Sequence, residues 1–120
     1  MNGQDTAAIV RAYHDAWTSK DFAGAAALLA PTLTVEVPIN NYPTAESFAA
    51  ALEGFGSRVT KVDLLTAMNA GDEAMLLYDL DAEGLGALRV AEHFTVADGK
   101  ITRIRQVHDT APVRAAGLAN

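Results

Sequence analysis

Glu92 is the side chain whose surroundings point most directly to chemistry. It lies in the segment VAEHFTV, and Val90 and Phe94 share its side if that segment is a strand. A carboxylate among inward-facing apolar side chains is costly unless it is paired or protonated. A neutral Glu92 would donate a hydrogen bond to a carbonyl or act as a general acid. The alternative is a cross-strand ion pair with Arg103 or Arg105, which would give Glu92 a structural role only.

The partners of Glu92 on the last strand depend on the turn ADG that joins the two strands. A three-residue loop with Gly99 in the left-handed region would place Glu92 opposite Ile104. Gln106 and His108 would then share the face of Glu92. A histidine there suits proton transfer, because imidazole changes protonation near neutral pH without special tuning.

The alternative turn gives the opposite set of partners. If Asp98 and Gly99 form a two-residue turn, the register moves by one residue, and Arg105 and Asp109 face Glu92 instead. We favour the three-residue loop because it puts Ile104 inside the protein and the arginines outside. A β-bulge near the end of the strand would still bring Asp109 inward.

The elements that position these residues are predicted by the hydrophobic pattern. Two helices come first, and Tyr13 and Trp17 are spaced to share one face of the first, either as core residues or as the lining of a pocket. LTVEV alternates as a half-buried strand does, and Pro38 closes it. Thr44 begins a short third helix. Four strand-like segments with short turns follow, so they must be antiparallel, and we predict an α+β fold.

Composition limits the function classes. The 120 residues predict a single domain, 1–120, and residues 110–120 form a tail without a clear pattern. Nine basic residues against fifteen acidic ones give a net charge of −6, which argues against nucleic-acid binding. The absence of cysteine excludes disulfides and thiolate metal sites. The sequence predicts no membrane span, and its start, MNGQDTAAIV, lacks the features of a secretory signal. We therefore expect a cytoplasmic protein.

The remaining polar residues and the sheet lead to three further expectations. The histidines lie on separate elements, so we expect no metal site and no cofactor. His14 lies off the apolar stripe and is predicted to face solvent, and His93 is predicted to face away from Glu92. Segments such as AMLLYDL are apolar on both faces, and no helix remains to cover the second face. We therefore expect a homodimer through the sheet.

The segments AYHDAWTSKDFAGAAALLAPTLTVEVP and EHFTVADGKITRIRQVHD resemble the nuclear transport factor 2-like superfamily. Within it, the resemblance is to the SnoaL-like polyketide cyclases, the ketosteroid isomerases and the limonene epoxide hydrolases. The residues that match the shared pattern are Tyr13, Trp17, Asp21, Pro38, Glu92, Phe94, Val96, Asp98, Gly99, Lys100 and Ile101. The resemblance implies a cone, in which a curved antiparallel sheet wraps the N-terminal helices around a deep apolar pocket.

The ketosteroid isomerases imply roles for two residues and a gap at a third. Tyr13 matches the tyrosine that stabilises an oxyanion, and Glu92 matches a protonated acid in the same oxyanion hole; that acid is a standard example of a carboxyl kept neutral. Val37 stands where those enzymes carry their general base, and Glu36 points to the other face of the strand. Ketosteroid isomerisation by the usual route is therefore not expected.

The other two groups imply roles for the end of the last strand. Asp109 matches an aspartate of the epoxide hydrolases, but Val90 stands in the place of their arginine, so epoxide hydrolysis is disfavoured. The cyclases imply an acid/base group near the strand end, which is either His108 or Asp109.

We expect acid/base isomerase or cyclase chemistry on a small, apolar carbonyl compound, or alternatively a non-catalytic dimeric module that binds such a ligand. The expected catalytic residues are Glu92, His108, Asp109 and Tyr13, and the expected ligand-binding residues are Trp17, Val37, Phe94, Ile104 and Gln106.

Overall fold

The computed structural model describes residues 5–117, and its elements follow the predicted order of two helices, a strand, a helix and four strands. These elements are α1 Thr6–Thr18, α2 Phe22–Ala26, β1 Leu29–Glu36, α3 Ala45–Gly56, β2 Val59–Ala70, β3 Glu73–Ala82, β4 Gly86–Ala97, β5 Lys100–Val107 and α4 Ala111–Ala115. The short helix α4 lies in the tail for which the sequence predicted no structure. Residues 1–4, in the segment considered for a signal, and residues 118–120 lie outside the described part.

Polar side chains determine where the helices begin. The Asp5 side chain accepts a hydrogen bond from the Ala8 amide at the start of α1, and Asp21 accepts one from Gly24 at the start of α2. Between them, Lys20 has a φ of 73°, which turns the chain from α1 into α2. Thr44 and Ser47 form a reciprocal capping box at the start of α3.

The five strands form one curved, unclosed sheet in the order β1-β5-β4-β3-β2. Strands β2 to β5 pair antiparallel with one another, as the short turns require. Strand β1 pairs in parallel with β5, so the sheet is antiparallel in four strands and mixed at one edge. Helix α1 packs on the inner face against β2 to β5, and α3 packs against β1. The predicted α+β fold is confirmed.

The β4–β5 hairpin differs from the favoured prediction. The turn has two residues, because Asp98 (φ 52°) and Gly99 (φ 77°) are both left-handed and Ala97 pairs with Lys100. Two such residues give the turn whose twist matches the flanking strands, and aspartate tolerates that conformation. The prediction of a three-residue loop was therefore wrong.

A bulge then changes which residues of β5 face inward. Thr102 is an extra residue between the pairs Val96–Ile101 and Thr95–Arg103. Beyond it Glu92 pairs with Gln106, and the prediction that it pairs with Ile104 was wrong. The extra residue cancels the change of face that the two-residue turn would otherwise cause. Ile104 is therefore buried and Arg105 exposed, as expected.

His14 is buried, contrary to the prediction that it faces solvent. Its side of α1 also carries Val10, Tyr13 and Trp17, which are buried as well. These four positions follow the spacing i, i+3, i+4, i+7, so the buried stripe is wider than the apolar residues alone indicated. The His14 ring lies with its centroid 5.0 Å from that of Tyr78 and 5.7 Å from that of Trp17.

The outer face of the sheet carries large apolar side chains that remain exposed, including Met68, Met75 and Val107. His93 also lies on this side, where its Nε2 atom is 2.7 Å from the Glu73 carboxylate. Across residues 5–117, no helix is long and apolar enough to cross a membrane.

Candidate functional site

A cavity of about 270 Å³ lies between the inner face of the sheet and the helices. Most of its lining is aromatic or aliphatic, and it comes from α1, α3, β3, β4, β5 and α4. The polar atoms that reach the cavity are few, as in binding sites for small apolar molecules. Its charged or titratable lining side chains are Tyr13, Tyr42, Arg58, Tyr78, Glu92 and His108.

Glu92 is only 1 % exposed, and hydrogen bonds hold both of its carboxylate oxygens. The Tyr78 hydroxyl donates to Oε1 at 2.9 Å, and the Gln106 amide donates to Oε2 at 2.9 Å. Burial raises the pKa of Glu92 to about 7, and the bonds from Gln106 and Tyr78 oppose that rise because they favour the charged form. Near neutral pH Glu92 therefore exists in both protonation states, which suits a group that moves a proton.

The ion pair considered for Glu92 is not formed. Arg105 lies on the outer side of the sheet, where its guanidinium is 3.3 Å from Nδ1 of His93. The bulge at Thr102 explains this, because it places Gln106 rather than Arg105 beside Glu92. Among the described residues, the side chains that bond the carboxyl group are neutral, and burial dominates its pKa.

Tyr13 carries a buried hydroxyl that is not bonded to the protein. Its side chain is fully buried, and within residues 5–117 the hydroxyl oxygen has no hydrogen-bond partner. Burial, followed by the charge of Glu92, raises the pKa of Tyr13 well above its usual value, so the phenol stays protonated. A buried polar group without a partner costs about 1–3 kcal/mol. The Tyr13 hydroxyl is thus an unsatisfied donor on a residue that lines the cavity.

Tyr78 is a residue of the site that sequence analysis missed. It faces inward from β3, two strand positions from Leu76 and Leu80, and the segment AMLLYDL was interpreted only as apolar on both faces. Alternation could have identified it, because Leu76, Tyr78 and Leu80 share the buried side. Its hydroxyl then lies where it can fix the orientation of Glu92.

The cavity has a polar rim formed by three partly exposed residues, Asn40, Arg58 and His108. His108 shares the cavity with Glu92, and its Nδ1 atom lies 3.0 Å from the carbonyl oxygen of Asp109. Asp109 is exposed and does not line the cavity; its carboxylate accepts a hydrogen bond from the Ala111 amide at the start of α4.

A family model for the SnoaL-like domain matches residues 10–104. The chain belongs to the SnoaL-like family. The resemblance seen in the sequence is therefore confirmed, and it extends over most of the chain. No curated protein sequence matches the chain.

Solved structures share this SnoaL-like fold. A crystal structure of a protein from Kribbella flavida is 32% identical, with a TM-score of 0.86 over 95% of this chain and 94% of that one. An NTF2-like protein of unknown function from Cytophaga hutchinsonii is 20% identical, with a TM-score of 0.82 over 95% and 99% of the two chains. An LEH-like epoxide hydrolase from Mycobacterium tuberculosis is 22% identical, with a TM-score of 0.75 over 92% and 87%.

Of the residues that the sequence proposed for the site, the SnoaL-like structure brings five to the cavity wall: Tyr13, Trp17, Glu92, Gln106 and His108. The others lie elsewhere. Phe94 is fully buried behind the site, with its ring centroid 5.7 Å from that of Tyr13. Ile104 on β5 pairs with Phe94 on β4 and is also fully buried. Val37 follows the end of β1 outside the cavity lining.

The arrangement brings together a neutral hydroxyl donor, a carboxyl group that titrates near pH 7 and apolar walls. Such a set can stabilise negative charge on a carbonyl oxygen and exchange a proton with the bound molecule. In the described part of the chain, no group of three histidine or carboxylate side chains is placed to hold a metal ion.

Proposed function

We propose that the protein catalyses an acid/base isomerisation or cyclisation of a small, largely apolar carbonyl compound within this cavity. The observation that carries the proposal is the Tyr13 hydroxyl, which is buried at the cavity wall with no protein partner in residues 5–117. Its position beside a buried carboxyl group would let both contact the same ligand oxygen. Family membership alone supports the fold, because one fold hosts many functions.

In the proposed mechanism the Tyr13 O–H donates to the carbonyl oxygen of the substrate. Negative charge then develops on that oxygen as a proton leaves the adjacent carbon. Protonated Glu92 donates a second hydrogen bond from the other side, while Tyr78 and Gln106 keep the carboxyl group in place. His108, at the rim, donates its Nδ1–H to the Asp109 carbonyl oxygen, so its Nε2 atom accepts the proton that leaves the substrate carbon and returns it to the product or to solvent. Donors fixed before the reaction stabilise an enolate better than water does.

Exchange of α-protons in D₂O tests this mechanism without knowledge of the natural substrate. The probes are 2-cyclohexenone and cyclohexanone, followed by proton NMR. We expect exchange above background with the unmodified protein and a loss of about 100-fold or more in Tyr13→Phe and Glu92→Gln. Glu36→Gln is the matched control, because Glu36 is an exposed carboxylate at the end of β1.

Two results would contradict the proposed reaction. Exchange that is equal in the unmodified protein and in both variants would show that neither residue takes part. Saturable binding of the ketones without any exchange would assign the cavity to a non-catalytic ligand-binding module. Epoxide hydrolysis has less support: Val90 is buried where an arginine would be needed, and Arg89 points outward to Asp79, at 2.7 Å.

We also propose that two copies associate through the outer face of the sheet. Leu77, Ala91 and Val107 lie in register across three strands there, so the apolar surface is continuous. Basic Arg103 on β5 lies to one side of it, and acidic Glu73 on β3 lies to the other at the same level, because both residues pair with Thr95. A two-fold axis along the strands would bring these opposite charges together. Sedimentation at micromolar concentration should give a dimer that Val107→Asp dissociates; a monomeric unmodified protein would contradict the proposal.

A cytoplasmic location stays a prediction from the sequence.

A further inference from the structure

Arg58 introduces a positive charge into a cavity whose wall is otherwise apolar over most of its area. It lies between α3 and β2, one residue after the Ser57 cap of α3 and directly before Val59. The side chain is half-buried and lines the cavity. Aside from the rim histidine, it is the one basic side chain that the described residues contribute to this wall.

The guanidinium group is held in place by uncharged backbone. Its Nη2 atom donates to the carbonyl oxygen of Glu83 at 2.8 Å. Gly84, with a φ of 80°, leaves the space that the group occupies: a Cβ atom there would lie 2.5 Å from Nη2. Among residues 5–117, no carboxylate forms a salt bridge with Arg58. A guanidinium carries five N–H donors in a planar fork, so donors remain for an anion.

Arg58 lies at the other end of the cavity from the proposed reaction centre. Inward-facing residues run along β4 from Glu92 through Val90 to Leu88. Four residues of extended strand span about 13 Å. Arg58 lies beyond Leu88, because the adjacent Val59 pairs with Ala82, which in turn pairs with Gly86. The cavity thus has a hydroxyl and a carboxyl group at one end, a guanidinium at the other, and apolar walls between them.

We propose that Arg58 binds a carboxylate of the ligand, so that the substrate is an elongated oxo acid whose carbonyl lies at Tyr13 and Glu92. This inference rests on the proposed function for the carbonyl end. The carboxylate end depends on Arg58 alone. A planar fork matches the two oxygens of a carboxylate, and an alkyl chain between the two groups matches the apolar wall. Arg58 is therefore assigned as the residue that selects acids over neutral ketones.

Binding of 7-oxooctanoate and of its methyl ester tests the assignment. Trp17 is the only tryptophan of the chain and lines the cavity, so its fluorescence reports binding without any turnover. We expect the acid to bind about tenfold more tightly than the ester, since a charge-assisted hydrogen-bonded pair is lost in the ester. Arg58→Gln should remove that preference while leaving the affinity for the ester unchanged. Arg11→Gln is the control, because Arg11 is exposed on α1.

A second variant and a second readout keep the test decisive. Gly84→Ala should displace the guanidinium and weaken the acid preference even if Arg58→Gln does not fold. Equal affinity of the unmodified protein for acid and ester would overturn the assignment, and so would a preference that survives both variants. Ketone exchange without an acid preference would overturn only the role of Arg58. An acid preference that depends on Arg58, without any exchange, would overturn only the proposed reaction.

Discussion

Replacing Glu92 by glutamine should change how the stability of the protein depends on pH. Burial raises the pKa of Glu92 from 4.5 to about 7 in the folded state. The unfolded chain returns this carboxyl to its ordinary value of 4.5. Between these two values the folded protein binds a proton that the unfolded chain does not. The free energy of unfolding therefore falls as pH rises through this window.

The size of the effect follows from the two pKa values. One pKa unit corresponds to about 1.4 kcal/mol, so the interval from 4.5 to 7 corresponds to about 3 kcal/mol. Glutamine is isosteric and neutral, and Tyr78 can still donate to its carbonyl oxygen. We expect Glu92→Gln to be more stable than the unmodified protein by about 3 kcal/mol at pH 8, or about 10 °C in melting temperature. Below pH 4.5 the advantage should disappear.

Urea unfolding of both proteins at intervals from pH 4.5 to pH 8.5 measures the difference, since other titrating groups are common to both and cancel. Glu36→Gln provides the matched control, because Glu36 is an exposed carboxylate at the end of β1. A Glu92→Gln difference that is also flat across the range would refute the reasoning, because Glu92 would then titrate alike in the folded and unfolded states. The slope of the urea transition must stay constant for the comparison to hold.

Three other changes test separate parts of the structure. Tyr13→Phe should leave the free energy of unfolding unchanged or raise it by about 1 kcal/mol, because it removes a hydroxyl that has no partner among residues 5–117. Tyr78→Phe should lower the free energy of unfolding at pH 8, because it breaks the hydrogen bond to Glu92. Equal urea midpoints for the two variants would contradict this. Burial lowers the pKa of His14, so the folded state is destabilised as pH falls below the ordinary histidine range. His14→Phe should reduce that loss of melting temperature between pH 7 and pH 5. The same loss in the variant as in the unmodified protein would show that His14 does not contribute to it. Deleting Thr102 should move Arg105 to the face of Glu92 and lower the melting temperature sharply, and a variant that melts as the unmodified protein does would refute the role of the bulge.

Most of the fold could be predicted because its signals are local. Capping residues such as Asp5 and Thr44 indicate the starts of helices, and alternation indicates the strands. The parallel pairing of β1 with β5 could not be predicted, because the two strands are far apart in sequence and neither carries a mark of its partner. Helix α4 also escaped prediction: with five residues it is too short to show periodicity.

The residues of the candidate site could also be predicted only in part. Glu92 was found because a carboxyl group stands out among apolar neighbours. Tyr78 and His14 were missed for a related reason: an amphipathic ring fits both a buried and an exposed position, so its type alone does not reveal which way it points. Both are buried, and their rings contact each other. The unpartnered hydroxyl of Tyr13 is a property of three-dimensional packing and leaves no trace in the sequence.

The last hairpin shows why the face of a strand is harder to predict than its existence. Adding or removing one residue in a turn or strand exchanges the side chains that face inward with those that face outward. The result therefore depends on whether the number of such changes is odd or even. In this hairpin there are two: the two-residue turn at Asp98 and Gly99, and the bulge at Thr102. They cancel, so an expectation based on one three-residue loop reached the correct face through the wrong pairing. The cancellation keeps Ile104 buried, whereas either change alone would place Arg105 inside. The neutral surroundings of Glu92, and with them its pKa near 7, therefore depend on a single extra threonine that does not line the cavity.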